Sequence, residues 1–378
     1  MRSRKISIIV LVFVAVVVLM LQSAANADQI KLHERTEGYY TIKDQKTGEV
    51  IFATAWFLFK GDRYLTEDNR LYEITEIRGD TAYAKLVKKV DLSDFLKTIN
   101  PKALDLSIPA SSLQTNKRIG IYFTHSDESY VPTDGTSSIP GKGGIFDVGK
   151  SLSVALREQG VHVIQSDAPH DPHDAGAYER SRRTAQELLR KRLDAVFDVH
   201  RDAVPPEYYL SRVSGQKLAQ VRLVVGRQNP NQQVNDNFAK QLKAVADKIH
   251  PGLVKGIFYG HGGYNQDLAP RSMLLEVGTH TVSKQDAEEG ARFFADVVTR
   301  TIYGADEKKS TGIGGTSEPI RGERGSIGRS LLAIIGVVLV GFAGYVLISG
   351  GSWKEISSKV SKFFTKEFAN FMGKIKKK

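Results

Sequence analysis

The stretch IYFTHSDESYVP sets His125, Asp127 and Glu128 directly after an apolar run, where a plain turn would need only Gly, Asn or Pro. AVFDVHRDA repeats the pattern with His200, Arg201 and Asp202, and SMLLEVG carries Glu276. Two imidazoles and a carboxylate suit a hydrolytic zinc ion that keeps one position for water, with a second carboxylate nearby to take that water's proton. We therefore read His125, Glu128 and His200 as ligands of Zn2+ and Glu276 as general base. A loop leaving a strand can fold both members of His-x-x-Glu onto one ion, and His200 completes the set from another strand. In an open α/β sheet such strand ends are where ligands bind.

The third ligand stays open at this point. Asp147, at the start of the helix after GKGGIF, competes with Glu128, although its place also suits an N-cap, and Asp127 is adjacent. His170 and His173 in APHDPHDAG are further candidates. Tyr130, Arg201, Asp202, Tyr264, Asn265 and Arg271 are read as pocket-lining or supporting groups, with Asp202 placed to orient a metal-bound imidazole. Taken singly, each piece has a plainer reading: a strand-end histidine is commonly structural, and Glu276 has Arg271 as a ready ion-pair partner. Their coincidence at strand exits is what points to a site.

Other chemistries are excluded. The chain has no cysteine, so thiolate nucleophiles, disulfides and Cys-based zinc sites are absent. There is no G-x-S-x-G nucleophile elbow, and GKGG follows no strand and lacks the G-x-x-x-x-G-K-[ST] spacing of a phosphate loop.

The elements that must hold these residues alternate. RIGIYFT, VHVIQ, AVFDV, VRLVVG, VKGIFYG and SMLLEVG read as strands, and between them lie helix-like stretches such as DVGKSLSVALREQG, YERSRRTAQELLRKRL and VNDNFAKQLKAVADKI. The expected fold is α/β, a mostly parallel sheet flanked by helices over residues 118–303. Short alternating runs separated by Gly-containing turns predict a small all-β module over 28–95, joined by a linker over 96–117. The tripeptide Arg78-Gly79-Asp80 is a hairpin turn in this reading.

The ends predict a membrane topology. Residues 1–27 combine a basic start, an apolar run from Ile6 to Leu21 and the small-x-small signal Ala25-Asn26-Ala27, the pattern of a secretory signal peptide, with an uncleaved anchor as the alternative. Residues 331–349 hold no charge, which predicts a transmembrane helix over 329–350 preceded by a flexible stalk over 304–328. The tail 351–378 has lysines between apolar residues at helical spacing, an amphipathic basic helix suited to an anionic leaflet. By the positive-inside rule this tail is cytoplasmic and the α/β domain lies outside the cell membrane. Of the net charge of +11, residues 1–27 carry +3 and residues 351–378 carry +6, leaving only +2 for the rest. That balance argues against a nucleic-acid partner.

The motifs IGIYFTHSDESYVP, DVGKSLSVALREQGVHV, FDVHRDA and HGGYNQDLAPRSMLLEVG, in that order, resemble the stage II sporulation protein P family over about residues 117–303. The resemblance implies an amidase-like fold and a zinc-dependent peptidoglycan hydrolase that cuts the N-acetylmuramoyl-L-alanine amide bond, with endopeptidase action on cross-links. It also implies work in engulfment beside stage II sporulation proteins D and M, and it puts the essential residues at His125, His200 and Glu276 with Glu128 in the first motif. Arg201 would stabilise the oxyanion. One departure stands out, because members of that family are anchored by an N-terminal span, whereas this chain adds a C-terminal span and a basic tail. The competing readings are a zinc carboxypeptidase-like peptidase, with Arg201 or Arg271 binding a substrate carboxylate, and a non-catalytic wall-binding module.

Overall fold

The computed structural model describes residues 34–35, 37–112, 118–174 and 176–304. The signal-peptide, stalk, transmembrane and tail expectations (1–27, 304–328, 329–350 and 351–378) lie outside the described residues, apart from Gly304, which caps the last helix. Among those described, no helix is long and apolar enough to cross a membrane.

Five N-terminal strands come first: β1 (Tyr40–Asp44), β2 (Val50–Thr54), β3 (Arg63–Thr66), β4 (Arg70–Arg78) and β5 (Thr81–Lys89). The α/β part adds β6 (Arg118–Tyr122), helix α1 (Ile145–Glu158), β7 (His162–Gln165), α2 (Ala177–Leu189) and β8 (Ala195–Asp202). A hairpin of β9 (Leu210–Val213) and β10 (Gln216–Ala219) follows, then β11 (Val221–Gly226), α3 (Gln232–Ile249), β12 (Val254–Gly260), β13 (Ser272–Thr279) and α4 (Lys284–Tyr303).

Apart from the β9–β10 hairpin, all the strands join one sheet in the order β2-β1-β5-β4-β3-β12-β11-β13-β8-β6-β7. This corrects one expectation. The N-terminal strands are not a separate module, because β3 pairs antiparallel with β12, Leu65 opposite Ile257 and Thr66 opposite Gly256, and so continues the central sheet. The α/β part is mostly parallel, as expected, with one antiparallel pairing inside it. β7, β6, β8 and β13 run one way, β11 is antiparallel to β13, and β12 runs with β11. The expected linker 96–117 holds the helical turns Pro101–Leu104 and Ala110–Ser112. They are tied down because the Arg300 guanidinium at the end of α4 donates to the carbonyls of Ala103, Asp105 and Ile108 at 3.0 Å each.

The period-2 alternation of the central strands decides what each face carries. Phe197 and Val199 of β8, Met273, Leu275 and Val277 of β13, and Leu223 and Val225 of β11 pack into one core with α1, α3 and α4. The alternate positions point the other way: Asp198, His200 and Asp202 on β8, Glu276 on β13, Arg222 on β11. Polar residues on a buried strand face need cover and partners, and the N-terminal strands supply both. Phe52, Trp56, Tyr64 and Tyr72 form a second core against Val224, Phe258 and Leu274. Phe52 and Tyr64 stack at 3.9 Å between centroids, and burial of Phe52 alone contributes about 1.5–3 kcal/mol.

Candidate active site

Asp198, at the centre of β8, fixes where the first motif begins. Its carboxylate accepts the Thr124 amide at 2.8 Å and the Thr124 hydroxyl at 2.6 Å, which sets His125 one residue beyond. From there the chain turns over the GKGG segment. Gly143 donates to the Ser126 carbonyl at 3.0 Å, Gly144 to the Ser129 hydroxyl at 3.0 Å and Ile145 to the Glu128 carbonyl at 3.0 Å. Gly143 has to be glycine, since a Cβ there would lie 2.4 Å from the Glu128 carbonyl oxygen. The Gly-rich segment is therefore a backbone cradle for the motif that carries His125 and Glu128.

Glu128 sits at the centre of the cluster, fully buried. Its Oε1 is 3.2 Å from His125 Nδ1 and 3.4 Å from His200 Nδ1, and its Oε2 accepts the Arg201 amide at 2.9 Å. Burial alone would raise its pKa, but the charges of His200 and Arg201 outweigh burial and hold it well below the ordinary range. Burial, reinforced by the neighbouring His173, pushes His125 down. For His200 burial acts the same way, yet Asp198 and Glu128 overcome it and raise the imidazole well above its usual value.

Glu276 lies on the next strand, directly opposite His200 in register. Its Oε1 accepts the Trp56 indole N–H at 2.8 Å, and its Oε2 has no hydrogen-bond partner. Burial, then the nearby Asp202 and Glu34 carboxylates, push its pKa well above the usual carboxylate range.

A fourth donor is present that sequence reasoning missed. One ligand atom each from Glu34, His125, Glu128 and His200 lie within 4.8 Å of one another. Glu34 Oε1 is 3.7 Å from His125 Nδ1 and makes no hydrogen bond. Two imidazole nitrogens and two carboxylate oxygens, buried together with an orphaned oxygen among them, fit a zinc ion.

The other candidates are sorted by position. His173 stacks on His125 at 3.8 Å between ring centroids, with Nδ1 3.0 Å from Asp127 Oδ1 and Nε2 3.5 Å from Glu34 Oε2. His170 is tied to the Phe123 carbonyl and the Thr184 hydroxyl, a structural role. Arg201 lines a cavity of about 350 Å³ together with Glu34, His125, His173 and His280. Its guanidinium donates to the Ser137 carbonyl at 3.1 Å and reaches within 3.9 Å of Glu128.

Several expectations are corrected. Asp147 is neither ligand nor N-cap; it lies on the exposed first turn of α1 and pairs with Lys284 at 2.7 Å. Asp202 does not reach an imidazole, because Arg222 Nη1 claims it at 2.6 Å and the Ala55 amide and Tyr209 hydroxyl add to it. The carboxylate beside the imidazole is Asp198, whose Oδ1 lies 3.1 Å from His200 Nε2 as a close charge contact without hydrogen-bond alignment. Arg271 precedes β13 at the end away from Glu276, with Asp194 as its charged neighbour. Tyr130 is buried and donates to the Val277 carbonyl at 2.9 Å. Tyr264 packs edge-on against Trp56 at 5.1 Å, and Asn265 donates to the Tyr178 carbonyl at 2.9 Å; both stand one layer behind the donors.

Trp56, Asp198 and Glu34 are the residues that sequence reasoning passed over. A signal existed for Asp198, which stands two residues before His200 and therefore on the same strand face. None existed for the other two, which depend on how the N-terminal strands close over that face.

The family model described as stage II sporulation protein P matches residues 60–299, more than half of the chain. Stage II sporulation protein P of Bacillus subtilis is 30% identical over 218 residues, 53% of this chain and 54% of that protein. The chain thus spans about half the length of the curated relative it matches. Among solved structures, an N-acetylmuramyl-L-alanine amidase of Mycobacterium smegmatis is 19% identical, with 50% of this chain and 95% of that chain covered at a TM-score of 0.32. The CwlD amidase of Clostridioides difficile, solved in complex with the GerS lipoprotein, is 15% identical, with 49% and 98% covered at a TM-score of 0.28.

Proposed function

Because the chain belongs to the stage II sporulation protein P family, we propose that it is a zinc-dependent peptidoglycan hydrolase of sporulation that cuts the N-acetylmuramoyl-L-alanine amide bond. The observation that carries this reading is the buried donor set of His125, Glu128 and His200 with Glu276 on the adjoining strand. When bound by those three residues, zinc would polarise water and the scissile carbonyl.

The chain's own groups do the rest. Trp56 fixes one oxygen of Glu276, so Oε2 is the atom that takes a proton from the attacking water. As the C–O bond forms and the C–N bond breaks, Glu276 returns that proton to the leaving L-alanine nitrogen. Arg201, on the cavity wall, opposes the negative charge that develops on the carbonyl oxygen.

The carboxypeptidase alternative loses Arg271, which stands at the wrong end of β13. Cleavage of cross-links, anchoring of the chain in the cell membrane with the catalytic domain outside and the tail inside, and cooperation with stage II sporulation proteins D and M belong to the same proposal, on the sequence pattern and the family.

The test is product analysis. Full-length protein, loaded with zinc and incubated with purified sacculi, should release stem peptides with a new L-alanine amino terminus, and chelation should stop the release. Release of single C-terminal residues would establish the carboxypeptidase instead. Sedimentation with sacculi and no release would leave a wall-binding module.

A further inference from the structure

Resting on the zinc reading above, the geometry points to Glu34 as a fourth, displaceable donor to the same ion, which closes the site until substrate takes its place. Glu34 lies outside the residues that the family model matches. Its side chain is nearly buried, and Oε1 faces His125 Nδ1 at 3.7 Å with no hydrogen bond of its own. An unpaired, buried carboxylate oxygen is costly, and the neighbouring Glu128 adds like charge. A divalent cation between the four donor atoms removes both problems.

The carboxylate is held in that place from two sides. Its Oε2 is 3.5 Å from His173 Nε2, and the Asp127 carboxylate fixes the other nitrogen of that ring. In the backbone, Glu34 forms a single antiparallel bridge with Trp56, and the Arg35 amide donates to the Ala55 carbonyl at 2.9 Å. One isolated bridge holds far less firmly than a strand ladder, so this contact belongs to the weakly held end of the fold.

The consequence concerns hydrolysis. A zinc ion with four protein donors is a closed site, whereas hydrolysis needs a position for water. Glu34 also stands on the wall of the cavity that leads to His125, beside Arg35, Glu37 and Gly38. A glycan-peptide occupying that cavity would compete with Glu34 for the place beside His125. Glu34 therefore strengthens zinc retention and restrains turnover, and the two effects must change together when it is removed.

The experiment compares the full-length wild type with Glu34→Ala and Glu34→Gln. Zinc affinity is read by competition with a chromophoric chelator, the donor set by the visible absorption of the cobalt(II)-loaded protein, and turnover on sacculi. Loss of Glu34 should weaken zinc binding by about tenfold or more, alter the cobalt spectrum and raise the rate at saturating zinc. Glu34→Gln keeps the shape with a weaker neutral oxygen and should fall between. Unchanged affinity and an unchanged cobalt spectrum in both variants overturn the proposal and leave the three-ligand reading intact. Weaker binding with lower turnover overturns the restraint. A wild type that takes up neither metal overturns this proposal and the zinc reading together.

Discussion

The Trp56 indole N–H donates to Glu276 Oε1 at 2.8 Å, joining a residue just after β2 to β13, whose Glu276 is the proposed general base. Trp56 is 1% exposed and packs edge-on against Tyr264 and Phe258, so its ring is fixed and its N–H direction with it. An N–H bond favours the charged form of a carboxyl and so offsets part of the upward push that burial gives Glu276. Trp56→Phe keeps an aromatic ring there but removes the donor. The expected outcome is a loss in kcat of about 10- to 100-fold with little change in KM, and an acidic limb of the pH–rate profile moved to higher pH. Rates on sacculi across pH check both; an unmoved limb would mean that Trp56 serves packing alone.

Glu276 itself separates chemistry from metal binding. It lies opposite His200 but contributes no atom to the four-donor cluster. Glu276→Gln should therefore retain one zinc per chain and lose about 100- to 10,000-fold in kcat, as expected for removal of a positioned proton acceptor. Metal analysis and turnover on one preparation decide it. Wild-type turnover would remove Glu276 from the reaction, and loss of zinc would make it a ligand.

Two aspartates flank His200 at the same spacing and should fail differently. Asp198 contacts His200 Nε2 at 3.1 Å and holds Thr124, so Asp198→Ala should weaken zinc binding by about 10- to 100-fold. Asp202 and Arg222 form an ion pair with both side chains fully buried, and Arg222 also donates to the Ala53 carbonyl of β2 at 2.9 Å. Asp202→Ala leaves that guanidinium without its counter-charge and should cost about 3–5 kcal/mol of stability. Chelator competition and urea unfolding, run on both variants, distinguish the two roles.

That pair also marks how far the sequence could be read. His125, Glu128, His200 and Glu276 were legible because each interrupts an apolar run where neither strand nor turn chemistry calls for it. Choosing between Asp198 and Asp202 was not possible locally, since both stand two residues from His200 and share its face. The choice is made by Arg222, two strands away, and by β2, which brings the Ala55 amide to Asp202. The same kind of distant contact hid the continuity of the sheet. Alternation in RYLT predicts a strand, but nothing in it says that β3 will pair with β12 rather than close a separate barrel. Asp147 misled for a related reason: a first-turn carboxylate suits several roles, and here the nearby Lys284 takes it.

His173 gives a prediction about stability whose sign follows from its partners. Burial works against charge on this ring, but the hydrogen bonds to Asp127 and Glu34 outweigh it and raise its pKa from 6.5 to about 10. The folded, metal-free protein thus holds this proton more tightly than the unfolded chain does. The resulting stabilisation is complete below about pH 6.5 and is lost as pH rises through about 10. Between those limits stability should fall with pH at a slope approaching about 1.4 kcal/mol per pH unit. In His173→Asn the same measurement, urea unfolding of chelated protein at successive pH values, should give lower stability near neutral pH and a flatter profile. Equal slopes in the two proteins would mean that the folded state does not hold the imidazolium. With zinc restored, the wild-type slope should also flatten, because a cation among Glu34, His125, Glu128 and His200 draws on the Glu34 carboxylate that otherwise supports the charged ring.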